Sequence, residues 1–164
     1  MASIFSIKYK DKTVKNYVEL FGGDEGSIRI FKTYIGDGRN LAPDDIRYSR
    51  NVCILGMDVV DQLFPFEDPI SKKIQINGLD YHVIGTAERK GEAFGQSQDN
   101  YIAIPITNYL QKFSNKWTTL SINIEAASEQ DYDKTRDEAI GLSLIHISEP
   151  TRRTPISYAV FCLK

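Results

Sequence analysis

The sequence contains few of the residues that build disulfide frameworks, metal sites and membrane spans. Its 164 residues include two cysteines, Cys53 and Cys162, and two histidines, His82 and His146. These are too few for a disulfide framework or a Cys/His metal site. No apolar run approaches the roughly 20 residues of a membrane-spanning helix, and no N-terminal segment resembles a signal peptide. The 20 bases and 22 acids are balanced and scattered, so no nucleic-acid partner is indicated.

The titratable residues do not form a recognisable catalytic pattern. His82 has no cysteine or carboxylate at ligand spacing and is predicted to be a half-buried strand residue. Cys53 lies in an apolar run and is predicted to be a buried, unreactive thiol. The adjacent Asp44 and Asp45 do not match a calcium loop and are predicted to be solvated caps. The glycine-rich segment 22–26 is predicted to be a loop and lacks the Gly-Lys-Ser/Thr of a phosphate loop. We therefore predict a chain that is not an enzyme and holds no cofactor or metal of its own.

The hydrophobic periodicity predicts an α+β domain: a mixed sheet with a β-hairpin and short packing helices. Strands are predicted at 4–9, 14–21, 51–55, 73–76, 79–86, 101–104 and 120–124. Helices are predicted at 27–31, 57–64, 105–113 and from 128 onwards. Asn77-Gly78 predicts a type I′ turn between two of the strands. The glycine-rich 36–40 is predicted to be a turn, and the polar 88–100 a long mobile loop.

The segment 142–164 differs from the rest of the chain. From Leu142 it runs LSLIHISEPTR, then three residues, then ISYAVFCLK. The two blocks match the translation of a sequencing-library adapter on either side of a variable index. We therefore predict that 142–164 is a non-native, adapter-derived tail and that 1–141 is a partial domain. The competing interpretation is a genuine strand or tail.

A series of short motifs runs from residue 36 to residue 105. The motif residues are Gly38-Arg39, Asp44/Asp45, Leu55-Gly56, Leu63-Phe64, Asp68-Pro69-Ile70, the hairpin Gly78, Val83-Ile84-Gly85 and Ile104-Pro105. In this order they resemble the MacB-like periplasmic core domain of ABC transporter permeases, a group that includes macrolide-efflux and lipoprotein-releasing permeases. Ser71 departs from the pattern, because the family usually has glycine after Asp-Pro-Ile. We expect the motif residues to be structural, with Arg39 tying a turn to a neighbouring carboxylate or carbonyl.

The resemblance implies a truncated extracytoplasmic permease domain. In the family this domain lies on the periplasmic side of the inner membrane, between the first two transmembrane helices. The implied partners are an ABC ATPase, which alone would use ATP, a second permease copy, and a periplasmic adaptor or cargo protein. The implied role is to transmit ATP-driven motion of the membrane helices during export, efflux or lipoprotein release. The alternative is a stand-alone soluble binding domain or hydrolase that shares only the fold.

The polar loop at 88–100 is a candidate contact for such a partner. Glu88, Gly91, Gly95 and Asn100 mark it in the sequence. The competing interpretation is an ordinary excursion between two strands.

Overall fold

The computed structural model describes residues 6–14, 18–93, 95–115, 118, 120–147 and 156–158. The chain divides into two compact units, Met1–Ser114 and Asn115–Lys164. The strands of the first unit are β1 (Ile7–Tyr9), β2 (Lys12–Thr13), β3 (Glu19–Gly23), β4 (Ile35–Gly38), β5 (Val52–Leu55), β6 (Lys73–Ile76), β7 (Leu79–Ala87), β8 (Glu92–Ala93), β9 (Gln96–Ser97) and β10 (Tyr101–Pro105). Its helices are α1 (Ser27–Ile30), α2 (Pro43–Arg47), α3 (Met57–Leu63) and α4 (Ile106–Lys112).

The main sheet of the first unit is mixed. Its strands lie in the order β2-β1-β6-β7-β5-β10-β3, and β4 pairs with β7. The pairs β5–β7 and β10–β3 are parallel, and the other pairs of this sheet are antiparallel. This arrangement, with short helices, confirms the predicted α+β fold.

The central strands of the sheet are buried on both faces, as β5 shows. Cys53 and Leu55 enter a cluster that α3 covers, whereas Ile54 enters a second cluster that includes Ile28 of α1. Because successive strand residues point to opposite faces, a continuous apolar run is needed where both faces are covered. The predicted buried strand at 51–55 is therefore confirmed.

The hairpin between β6 and β7 forms as predicted. Asn77 and Gly78 have φ angles of 50° and 82°, which are the two positive values that a type I′ turn requires. The Asn77 side chain also accepts a hydrogen bond from the Ser6 amide at 2.8 Å, and the Asn77 amide donates to the Ser6 carbonyl at 2.8 Å. The turn therefore binds the backbone at Ser6, just before β1, as well as joining β6 to β7.

Several predicted boundaries were wrong. The expected turn at 36–40 is largely β4, which pairs with β7 with a register shift between Ile35 and Asp37. The expected strand at 14–21 begins later, at Glu19, and includes two residues of the expected glycine loop; residues 15–17 lie outside the described residues. Helix α2 was not predicted. The two strand errors share a cause, because glycine signals a local break while the pairing strands, β10 and β7, are distant in sequence.

The second unit contains β11 (Leu120–Ile122), a 3-10 turn (Glu129–Asp131), α5 (Tyr132–Ile147) and β12 (Ile156–Tyr158). Strands β11 and β12 pair in parallel. The Ser128 hydroxyl accepts a hydrogen bond from the Asp131 amide at 3.3 Å, as the predicted helix cap requires. Helix α5 continues past Gly141, and the adapter origin of 142–164 stays a prediction.

Candidate functional site

The motif glycines Gly38 and Gly85 face each other where β4 crosses β7. Gly38 has a φ of +83°, and a Cβ atom there would lie 2.3 Å from the Ile84 carbonyl oxygen. A Cβ atom on Gly85 would lie 2.5 Å from the Arg39 carbonyl oxygen. The Arg39 amide donates to the Ile84 carbonyl at 2.9 Å. Two motifs that are distant in the sequence therefore form one close backbone contact, which only glycine allows.

The motif acid Asp45 is fully buried between two arginines. Its carboxylate accepts hydrogen bonds from Arg39 at 2.6 and 3.3 Å, from Arg50 at 3.3 Å and from the Ala42 amide at 3.0 Å. Burial opposes ionisation, but these hydrogen bonds outweigh it and lower the pKa of Asp45. Arg39 also donates to the Asn40 carbonyl at 3.0 Å. The prediction of a solvated carboxylate is wrong for Asp45, because Arg39 and Arg50 bind its oxygens in place of water.

The Asp-Pro-Ile motif forms a tight turn before β6. The Asp68 carboxylate accepts the Ile70 amide at 2.8 Å, and the Ser71 amide donates to the Val83 carbonyl at 2.9 Å. Ser71 has a φ of 62°, in the left-handed region that favours glycine. Ser71 therefore has a left-handed backbone at the position where the family resemblance places glycine.

Ser71→Gly is expected to stabilise the protein by about 0.5–1 kcal/mol, because glycine removes the cost of a left-handed backbone. Urea unfolding followed by circular dichroism measures the change. Ser71→Ala is the matched control, since it removes the hydroxyl and keeps the Cβ atom. If the glycine variant is no more stable than the alanine variant, Ser71 carries no backbone strain.

The motif glycine Gly56 contacts the far end of the polar loop. A Cβ atom at Gly56 would lie 2.1 Å from the Asp99 carbonyl oxygen, and the Gly56 amide donates to the Tyr101 carbonyl at 2.9 Å. The Asp99 carbonyl also accepts the Asp58 amide at 3.3 Å. Gly56 therefore joins β5, α3 and the start of β10 at one point.

Other motif residues fill the core. Leu55, Leu63, Val83 and Ile104 are at most 1% exposed. Phe64 packs on Tyr9 with ring centres 4.3 Å apart, and the Tyr9 hydroxyl donates to Glu67 at 3.0 Å. Pro105 ends β10 and precedes α4 directly. Across the described residues, the motifs are thus placed in turns, close contacts and the core.

The polar loop at 88–100 is a short hairpin fixed at its base. Strands β8 and β9 pair with each other, and Gly95 lies exposed at their tip. The buried Asp99 carboxylate accepts the amides of Lys90 at 2.9 Å and Gly91 at 2.8 Å. Arg89 pairs with Asp61 of α3 at 2.5 Å.

The two ends of this loop are used in the scaffold. The Glu88 amide donates to the Tyr34 carbonyl at 2.8 Å, and the Asn100 carbonyl accepts the Glu19 amide at 3.1 Å. Of the four residues that marked the loop in the sequence, Gly95 lies at its exposed tip, and the others lie at its base. The segment predicted as a long mobile loop thus contains a hairpin, and hydrogen bonds fix its base.

A buried asparagine that the sequence did not single out fixes α4. The Asn108 side chain accepts a hydrogen bond from the Tyr81 hydroxyl at 2.5 Å. It donates hydrogen bonds to the Ser49 carbonyl and the Asn51 side chain, both at 2.8 Å. Thr107 donates to the Ile46 carbonyl at 2.5 Å. The amphipathic pattern of α4 did not indicate this network, because its partners lie 27 or more residues away.

The titratable residues weighed as catalytic candidates do not come together. Burial raises the pKa of the Cys53 thiol and disfavours its reactive thiolate. His82 is exposed on β7, not half-buried as predicted. Within the described ranges, no group of three or more His, Cys, Asp or Glu side chains could hold a metal ion.

These observations define an α+β domain whose signature residues support its scaffold. The sequence profile of the MacB-like periplasmic core domain matches residues 1–142. The chain belongs to this family of MacB-like periplasmic core domains.

Curated relatives agree with this assignment. The chain is 32% identical over 75% of its length to the "Macrolide export ATP-binding/permease protein MacB" of Chlorobaculum tepidum, of which the match covers 19%. It is 27% identical over 61% of its length to the "Uncharacterized ABC transporter permease YvrN" of Bacillus subtilis, of which 23% is covered. The chain therefore spans about a fifth of the length of these relatives.

Two solved structures share the fold. The extracellular domain of the ABC-type transporter YknZ from Gram-positive bacteria superposes with a TM-score of 0.66 at 16% identity, over 90% of this chain and 73% of that one. The periplasmic region of MacB from Actinobacillus actinomycetemcomitans gives 0.62 at 17% identity, over 92% and 74%. Among the helices described here, none is long and apolar enough to cross a membrane.

Proposed function

We propose that this chain is an extracytoplasmic domain of an ABC permease and transmits motion without catalysing a reaction. In the full-length protein it would lie on the periplasmic side of the inner membrane, in a permease paired with a second copy. ATP hydrolysis by an ABC ATPase would move the membrane helices, and the domain would pass that motion to a periplasmic adaptor or cargo. Export, efflux and lipoprotein release are the processes that the family resemblance suggests.

The observation that supports this role is a set of three buried polar braces in the first unit. Asp45 ties α2 to two arginines, Asp99 closes the base of the polar loop, and Asn108 ties α4 to the 49–51 segment. The Asp45 and Asp99 braces fix local segments of 5 to 9 residues, and the Asn108 brace joins segments more than 50 residues apart. A unit held in this way resists local opening, so a displacement applied at one place moves the whole unit.

The exposed tip of the polar loop is the proposed contact for the adaptor or cargo. Gly95, Gln96 and Ser97 are exposed, while Asp99 fixes the base of the same loop. A fixed base with an exposed tip gives a partner a contact that is already ordered, which reduces the entropy cost of binding.

Asn108→Ala is expected to uncouple ATP hydrolysis from transport in a full-length permease that carries this domain. The substitution leaves the Tyr81 hydroxyl without its buried partner and destabilises the domain by about 1–2 kcal/mol. We expect ATPase activity to persist while the amount of cargo moved per ATP falls several-fold. Because relatives are named for macrolide export, a macrolide antibiotic is the first cargo to assay.

Gln111→Ala is the matched control for this experiment. Gln111 is an exposed residue of the same helix, and its side chain donates to the Ser49 hydroxyl at 3.1 Å. Transport per ATP should be unchanged in this variant. Equal loss of ATPase activity and transport in Asn108→Ala, or no loss of either, would contradict a coupling role for the rigid unit.

A further inference from the structure

The end of α2 carries an exposed, positively charged surface. Arg47 and Arg50 both contact the Tyr48 ring, each with its guanidinium carbon 5.7 Å from the ring centre. Tyr48 is 61% exposed. We call Arg39, Arg47, Tyr48, Arg50 and Lys112 the basic patch.

Two of the arginines in the basic patch are held in place by a buried carboxylate. Arg39 and Arg50 share the buried Asp45 carboxylate, yet their side chains remain 49% and 50% exposed. A guanidinium group has five N–H donors, so binding one carboxylate leaves donors for a second. Because the side chains are already fixed, an incoming anion meets a lower entropy cost than at a free surface arginine.

Lys112 extends the basic patch onto α4. The Lys112 ammonium donates a hydrogen bond to the Asn51 side chain at 2.5 Å, and Asn51 directly follows Arg50 in the sequence. The acids of the α2 segment are Asp44, which is exposed, and Asp45, which is buried. The patch therefore has four cationic side chains and the α2 segment two carboxylates, in a chain whose net charge is -2. The positive charge is a local feature of this surface.

We propose that the basic patch binds an acidic segment of a partner protein, through carboxylates that pair with Arg47 and with the outer N–H groups of Arg39 and Arg50. Planar guanidinium groups match carboxylates in a bidentate geometry. Arginine and tyrosine are also the residues enriched in energetic centres of protein interfaces. A lipid-headgroup site would combine its Lys and Arg side chains with apolar Trp, Phe or Leu side chains that insert into the membrane, whereas this patch has three arginines, one lysine and a tyrosine. This surface is separate from the loop tip, and its argument does not depend on motion transmission.

Binding of a fluorescein-labelled oligo-glutamate peptide to the full chain, followed by fluorescence anisotropy at low salt, tests the proposal. Arg47→Glu is expected to weaken binding by about tenfold or more, because it replaces attraction with repulsion. Arg47 contacts the exposed Tyr48 ring, so the variant should keep the wild-type melting curve. Lys8→Glu makes the same charge change on an exposed residue of β1 and should leave binding unchanged.

Two other outcomes would overturn the proposal. Equal weakening in Arg47→Glu and Lys8→Glu would mean that overall charge alone attracts the peptide. The protein could instead fail to bind the peptide and bind phosphatidylglycerol vesicles but not phosphatidylcholine vesicles. If Arg47→Glu abolished that vesicle binding, the patch would be a lipid-headgroup site.

Discussion

Gly56→Ala is expected to destabilise the first unit by about 3 kcal/mol, near the upper end of the overpacking effects seen for single substitutions. The new Cβ atom would lie 2.1 Å from the Asp99 carbonyl oxygen, far inside van der Waals contact. The obstacle is backbone, so no side-chain rotation relieves it. The base of the polar loop must shift, which also weakens the Gly56 to Tyr101 hydrogen bond. Urea unfolding of the full chain measures the loss.

Gly36→Ala is the matched control for this substitution. Gly36 lies in β4, and a Cβ atom there would lie 3.7 Å from its nearest neighbour, an ordinary contact. Its stability should change by less than about 0.5 kcal/mol. Similar effects of the two substitutions would show that the contact between Gly56 and Asp99 does not constrain the fold.

Asp45→Asn is expected to destabilise the first unit by about 2–3 kcal/mol, somewhat less than breaking a fully buried ion pair. The amide cannot accept all the hydrogen bonds that the carboxylate takes from Arg39, Arg50 and the Ala42 amide. The two arginines are half exposed, so water compensates part of the lost pairing. Asp44→Asn, the same change at an exposed neighbour, should have almost no effect in the same urea experiment.

The difference between wild type and Asp45→Asn should also depend on pH. The pKa of Asp45 in the folded state is lowered from its ordinary value of 3.8. Its stabilising contribution is therefore complete above the unfolded pKa and is lost as the pH falls through the lower folded value. The two proteins should thus converge in stability at strongly acidic pH. A constant difference from neutral to acidic pH would mean that the carboxylate charge is not the stabilising feature.

The parts of the fold that the sequence predicted are those fixed by neighbouring residues. Asn77-Gly78 specifies its turn through two positive φ angles, and the apolar run at 51–55 specifies a doubly covered strand. Helix α3 likewise follows from the spacing of Val59, Val60 and Leu63, all buried. In each case the determining residues lie within one element.

The features that the sequence did not predict depend on partners outside the element itself. Gly38 indicates a turn locally, but it lies in a strand because Gly85 of β7 approaches it. Asp45 has the pattern of a solvated cap until Arg50 and Arg39 are placed around it. Asn108 looks like an ordinary polar helix residue, and its partner Tyr81 is 27 residues away. The family motifs could be found in the sequence, whereas the polar braces between them required the structure.

Hydrogen–deuterium exchange of a full-length permease carrying this domain, compared with and without a non-hydrolysable ATP analogue, tests the central claim most directly. If the first unit moves as one rigid body, the amides of β5, α4 and the base of the polar loop keep the same protection in both states. The account predicts that result, with changes confined to the surfaces that meet the rest of the permease. Loss or gain of protection within β5 or α4 on nucleotide binding would show that the unit deforms internally and would contradict it.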